Sequence, residues 1–250
     1  MTIDNCLEDR IISYFDIIGF KNKIKRIEDE PKLCEVINKT FDNIKKMQED
    51  RRKQFKEKFE EAFFSDSLVI SNIRDNNKDG GSEEFIIFAT HSIASDLICD
   101  GFFVRGGIAR GKCHHDANNL FGEGYLKAYD LEKKDRVPRI IIDKDIVESL
   151  ENYKNQKRFY LKHDLDYDIW YINLFKIGNP DDPPSEDTLT YKLCHIKEHI
   201  CSEFEKSEKS CDNKDKYRWL TTEFNISLDE YKNDGYTLSG IDKIDLDKIC

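Results

Sequence analysis

Residues Ile11–Asn22, IISYFDIIGFKN, decide how this chain is read. Ile11, Ile12, Tyr14, Phe15, Ile17 and Ile18 make a nearly continuous apolar run, broken by Ser13 and Asp16 and ended by Gly19. Such a run predicts a central strand covered on both faces. A carboxylate inside it is costly unless it is paired or bound to a cation. The pattern returns in Phe63–Ser71, FFSDSLVIS, where Asp66 stands between apolar flanks, and residues 61–73 read as a second strand. Two acids interrupting neighbouring strands make an all-oxygen site suited to magnesium or manganese and to phosphate oxygens. Two such ions activate a hydroxyl and neutralise a leaving pyrophosphate. The glycine at 19, between strand and helix, lets backbone N–H groups face a phosphate. A single aspartate in an apolar run equally suits a strand end or a buried arginine partner. The pair beside a glycine turn is what points to chemistry.

Outward from this segment, Lys21 to Lys58 is highly charged, with Leu33, Val36, Ile37, Phe41, Ile44 and Met47 at helical intervals and Pro31 placed for a first turn. The segment 74–84, RDNNKDGGSEE, reads as a loop. FIIFATHSIASDLICDG has helical spacing and a glycine stop at Gly101. FFVRGGIARGKC reads as a strand whose paired glycines demand close backbone approach. LFGEGYLKAYDLEKKD then predicts a helix led by glycines, PRIIID a short strand, KDIVESLENY a helix, and RFYLKHD with DIWYINLF a hairpin. GNPDDPPSED (178–187) is the clearest linker, followed by polar helices over 188–208 and about 213–232. The alternation with hairpins mixed in predicts an α+β, ferredoxin-like sheet with helices on one face. Residues 8–180 form the expected main domain and 186–250 a C-terminal helical extension.

Composition bounds the function. The chain has 250 residues, 38% hydrophobic and 36% charged, with 16 Phe and 11 Tyr to fill a core. A net charge of −10 argues against general nucleic-acid binding, which needs a basic footprint. No stretch has the length of a membrane span, and the N-terminus lacks a secretory pattern. The expected setting is cytoplasmic, and the eight scattered cysteines read as free thiols there.

Three further motifs have plain readings. In CHIKEHIC, His195 and His199 stand four apart, a zinc-compatible spacing, yet Cys194 and Cys201 share that direction only in part, so a helix with buried cysteines is favoured. His114-His115-Asp116 suits a polar rim of a ligand pocket, but a solvated turn before the next helix is the favoured reading. Asp164, Asp166 and Asp168 lack the glycine and glutamate of a calcium loop and read as a hairpin turn.

FDIIGFKN resembles the first metal motif of class III nucleotidyl cyclases. FFSDSLVIS resembles their second, with Ser65-Asp66 where Gly-Asp is usual. VRGGIARG and NLFGEGYLKAYDLE resemble the following strand and helix, in matching order over roughly residues 11–142. The Ser-Asp-Ser form, the VRGGIA strand and the KHDLDYDIWYIN segment are similar to the bacterial Pycsar pyrimidine cyclases, antiphage sensors whose cyclic UMP or CMP activates a separate effector protein. The resemblance implies a two-metal site with Mg2+ or Mn2+ on Asp16, Asp66 and the Ile17 carbonyl, and a phosphate loop at Ile18, Gly19 and Phe20. It implies a nucleoside triphosphate substrate and a homodimer with sites between the copies. Ala62 stands where purine cyclases carry a base-reading lysine, and Asn119 falls at a second base-reading position. The usual transition-state Asn and Arg align with Leu126 and Asp130, which cannot do that work. Arg105, Arg110 and Lys127 are the candidates for the missing positive charge. UTP is expected ahead of CTP, with a purine cyclase or a catalytically silent scaffold as the other readings.

Overall fold

The computed structural model describes residues 6–55, 59–74, 81–150, 159–207 and 214–248. The chain runs β1 (Glu8–Ile17), α1 (Phe20–Lys25), α2 (Pro31–Phe55), β2 (Phe59–Phe64), β3 (Ser67–Ile73), α3 (Gly81–Cys99), β4 (Val104–His115), β5 (Leu120–Gly122) and α4 (Glu123–Lys133). It continues through β6 (Ile140–Ile142), α5 (Lys144–Glu148), β7 (Leu161–Asp164), β8 (Ile169–Ile172), α6 (Glu186–Ser207) and α7 (Lys214–Asn233). The described residues form a mixed α+β fold on one eight-stranded sheet, ordered β2-β3-β1-β4-β6-β8-β7, with β5 added to β4. The pairs are antiparallel except β4 with β6, which are parallel. That one parallel pair needs a crossover, and α4 supplies it.

The apolar run of β1 sits at the middle of the sheet, between β3 and β4. Its side chains alternate between two cores. Ile11, Phe15 and Ile17 join Ile86, Ile93 and Leu97 of α3. Ile12 and Tyr14 join Ala128 and Leu131 of α4. The α+β class and the C-terminal helices are as expected, but the helices do not all lie on one face: α4 covers part of the opposite one. Glycines permit this. A Cβ at Gly107 would lie 2.2 Å from the Ala128 carbonyl oxygen, and one at Gly111 would lie 2.9 Å from the Gly124 nitrogen. The backbone of α4 therefore rests directly on β4.

The expected strand over 61–73 is corrected to a hairpin. β2 and β3 pair antiparallel with Phe64 opposite Ser67, and Ser65 and Asp66 form the turn. Ser65 takes a positive φ of 57°, the conformation that glycine supplies without strain. Of the loop expected over 74–84, residues 75–80 lie outside the described residues, as does the expected end of the helix beyond Leu150. Leu193, Ile196 and Ile200 of α6 and Leu220 and Phe224 of α7 share the apolar cluster of the sheet. Among the described residues no helix is long and apolar enough to cross a membrane. The described cysteines, 6, 34, 99, 113, 194 and 201, are free thiols.

Candidate active site

Along β1, Asp16 points to the same face as Ile12 and Tyr14, towards α4. Its carboxylate is 20% exposed. Asp66 reaches it from the β2–β3 turn, where the Ile17 amide donates to the Asp66 carbonyl oxygen at 2.8 Å. This bond fixes the turn against the end of β1. Ser67 donates its hydroxyl to Asp16 Oδ1 at 3.2 Å, and the Tyr14 hydroxyl lies 3.2 Å from the same Ser67 oxygen. Burial, and after it the negative charge of Asp66, pushes the Asp16 carboxyl up to about 6, against the pull of the Ser67 bond and Arg105.

Arg105 stands opposite Asp16 in the β1–β4 register. Its Nη2 is 3.8 Å from Asp16 Oδ2, and its Nε is 2.5 Å from Oε1 of Glu132, which is buried near the end of α4. A groove of about 360 Å³ opens here, lined by Tyr14, Asp16, Arg105, Tyr129, Glu132, Lys133, Asp135 and Arg136. Asp66 stands beside the groove, outside this lining. Lys133 holds its ammonium 3.9 Å from the centre of the Tyr129 ring. Sequence reasoning missed Glu132, Lys133 and Arg136. The only signal was a charged helix end, EKKDR, which reads equally as a solvated one.

The remaining candidates divide. Gly19 has φ 73° and opens α1, with the Asn22 amide donating to its carbonyl at 2.9 Å. The Ile18 amide donates to the Phe103 carbonyl at 2.8 Å, so it is already committed, and Phe20 is buried. The expected phosphate loop is thereby narrowed to the backbone from Gly19 onward. Ala62 of β2 pairs with Val69 of β3 and faces the α4 side of the sheet, as Asp16 does.

Three residues are not brought to Asp16. Arg110 has the parity of Ile108, points to the other face, and lies 3.5 Å from Asp145. Lys127 is exposed on α4 and bonded to Glu123 at 2.8 Å, which raises its pKa. Asn119 lies in the β4–β5 turn, where its amide donates to Asp116 at 2.8 Å. That turn is at the Glu8 end of β1, roughly 25 Å from Asp16 at about 3.3 Å per strand residue. Leu126 and Asp130 are exposed on α4.

The side motifs are structural. His114 pairs with Asp116 at 2.8 Å, but His115 is buried and its Nδ1 is 2.8 Å from the Ser71 hydroxyl, so that segment is not simply a solvated turn. Asp164 accepts from Arg139 at 2.7 Å and from turn amides, as a hairpin turn should. Among the described residues, no group of three His, Cys, Asp or Glu side chains is placed to hold a metal ion. Asp16 and Asp66 fit a divalent cation of the kind that takes one or two carboxylates and completes its shell with substrate phosphates. Burial first, and then the neighbouring Asp66 charge, raise the Asp16 pKa, and a cation held by the two carboxylates would offset the second of these.

No family model matches the sequence, and no curated protein matches it. Among solved structures, the chain is similar to the adenylyl cyclase CyaB from P. aeruginosa, with TM-score 0.47 and 14% identity over 58% of this chain and 82% of that one. It is similar to a bacterial light-regulated adenylyl cyclase, with TM-score 0.43 and 13% identity over 77% of this chain and 57% of that one. It is also similar to a class III adenylyl cyclase-like ATP-binding protein from Pseudomonas aeruginosa, with TM-score 0.42 and 9% identity over 81% of this chain and 44% of that one. The chain thus spans about half the length of the last two.

Proposed function

We propose that this chain is a nucleotide cyclase that converts a pyrimidine nucleoside triphosphate, UTP ahead of CTP, into the 3′,5′-cyclic monophosphate and pyrophosphate. The observation that carries the reading is the meeting of Asp16 and Asp66 beside the Gly19 turn, with Asp16 pushed up to about 6. Asp16, Asp66 and the Ile17 carbonyl are the groups that would hold Mg2+ or Mn2+. When bound, such ions lower the pKa of the ribose 3′-hydroxyl and neutralise the leaving pyrophosphate.

The chain's own residues supply positioning and charge. Ser67, backed by Tyr14, fixes the Asp16 carboxylate in one orientation. The turn from Gly19 onward orients the triphosphate. Arg105 offsets negative charge on the transferred phosphoryl group, and Glu132 keeps its guanidinium at the groove. Lys133 and Arg136 line the same groove and, with Arg105, set three cations against its acids Asp16, Glu132 and Asp135. Ala62 in place of a lysine supports a base other than adenine. Asn119 is too far from Asp16 to touch the same nucleotide within one copy, which supports a homodimer whose sites are shared between copies. The product serves as a second messenger in bacterial antiphage defence, read by a separate effector protein.

Incubation with each of ATP, GTP, CTP and UTP in manganese, followed by chromatography of the products, tests this. Cyclic UMP in excess over the other three is the expected result. A cyclic purine product would replace the pyrimidine assignment, and no cyclic product from any of the four would leave a silent nucleotide-binding scaffold.

A further inference from the structure

The helix after the Gly19 turn, α1, has six residues and no side-chain cap at its start. A helix that short does not hold itself in water and needs tertiary support. Phe20 packs it against Phe41 of α2, and its ionic support comes from α6, more than 170 residues along the chain. Glu203 of α6 lies 3.1 Å from the Lys23 ammonium and 2.8 Å from Arg26 Nη2, and Lys206 approaches it at 3.9 Å. The Lys23 and Glu203 side chains are 7% and 13% exposed, so water competes little for either. The Lys23 ammonium also sits 5.4 Å from the centre of the Phe102 ring. At the other end of the same residue, the Lys23 amide donates to the Gly19 carbonyl at 3.1 Å. One residue therefore joins the buried carboxylate of α6 to the glycine turn beside Asp16.

Two features make this more than packing. The cluster sets one largely buried carboxylate against three cations, one from α1 and one from its C-cap, so its loss leaves the buried Lys23 charge without that partner and frees α1 in particular. The start of α1 is held by a different contact, the buried Phe20 ring 5.9 Å from Phe41, so the ionic anchor acts on the last turn, where Arg26 also meets Glu30 at 3.5 Å with both side chains more exposed than Glu203. We propose that Glu203 is a positioning residue for the Gly19 turn, and that α6 is the element through which the C-terminal segment controls triphosphate binding at that turn. The second half rests on the cyclase reading; the first does not.

The test compares Glu203→Gln, which keeps size and removes charge, with Glu203→Asp, which keeps charge. Amide hydrogen exchange on the full chain without nucleotide is the primary readout. Exchange over residues 19–25 rises about tenfold in Glu203→Gln, with β1 and β4 unchanged, and Glu203→Asp restores part of the protection. With the nucleoside triphosphate that the wild type turns over, KM rises about tenfold and kcat changes far less, as expected for lost binding geometry. Wild-type exchange at 19–25 in Glu203→Gln overturns the proposal, and so does a rise spread evenly over the sheet. Raised exchange with an unchanged KM overturns the link to nucleotide binding. If the wild type makes no cyclic product, the functional reading fails while the exchange experiment still decides the anchoring role. Should Glu203→Gln fail to fold, Arg26→Gln, which removes one contact of the cluster, decides by the same exchange criterion.

Discussion

The Ile17 amide donates to the Asp66 carbonyl at 2.8 Å, carrying the β1–β3 ladder one rung past Asp16 and Ser67 and holding the tip of the β2–β3 hairpin against the end of the central strand. It places a second carboxylate beside Asp16 without burying it in the sheet. Asp66 is half-buried on a turn, so its side chain contributes little to the fold. Asp66→Ala is expected to abolish cyclic nucleotide formation while changing stability by less than about 1 kcal/mol. Product chromatography and urea unfolding of the same preparation check both parts. Undiminished turnover would remove Asp66 from the chemistry.

Asp16 carries the opposite signature, a cost to the fold in the absence of a cation. Its folded pKa of about 6 lies above the ordinary value of 3.8, so the folded state holds the proton more tightly. The stability linked to that proton is complete below about pH 4 and is lost as pH rises through 6. Asp16→Asn is therefore expected to stabilise the metal-free protein at pH 8 by on the order of 1–3 kcal/mol, with the gain shrinking towards pH 4. Urea midpoints across that range, in chelator, measure it. Manganese should stabilise the wild type and leave the variant nearly unmoved.

The strand holding Asp16, the Gly101 stop and the close approach at Gly106 and Gly107 were legible because periodicity and glycine placement are local properties of the chain. The turn at Asp66 was not. Ser65 occupies a positive-φ position without being glycine, so no turn signal stood in FFSDSLVIS, and the apolar flanks on both sides read as one strand. The cations were sorted only by the fold. Arg105 and Arg110 are equally plausible in sequence, yet strand alternation sends them to opposite faces. Glu132 depends on the phase of α4 against β4, a long-range fact. The single-face arrangement failed for the same reason: which face a crossover helix covers is not written in its own periodicity.

Gly107 tests how closely the site depends on that helix. A Cβ there would meet the Ala128 carbonyl at 2.2 Å and the Leu131 Cβ at 2.5 Å, both on α4. Neither is the far end of a flexible side chain, so α4 must lift. Gly107→Ala is expected to cost about 1–3 kcal/mol and, by moving Glu132 away from Arg105, to lower kcat at saturating nucleotide. Gly235, where a Cβ meets nothing within 4 Å but φ is 94°, is the control. Gly235→Ala strains the backbone without touching α4, so it should lower stability and leave kcat of the folded protein intact. Equal kcat in the two variants would show that the seat of α4 does not govern the site.

His91 gives the fold a pH dependence of opposite sign to that of Asp16, on the other face of the sheet. It is 1% exposed, its Nε2 lies 2.6 Å from the Lys176 carbonyl, and its ring meets Tyr160 edge-on at 4.8 Å. Burial holds its pKa down to about 4, against the ordinary 6.5. The ring is therefore neutral at pH 7 and donates Nε2–H to the carbonyl. The unfolded chain binds the extra proton first, so the stability tied to the neutral ring is complete above pH 6.5 and is lost as pH falls towards 4. The full loss is at most about 3 kcal/mol. His91→Leu should be less stable than the wild type at pH 7.5, because the Lys176 carbonyl loses its donor. It should also be flatter between pH 6.5 and 4.5. Both are best measured in an Asp16→Asn background, which removes the opposing titration; the two groups lie in separate clusters on opposite faces, so their effects should add. An unchanged slope in that background would mean that His91 binds its proton equally well in the folded and unfolded chain, so that burial does not hold its pKa down.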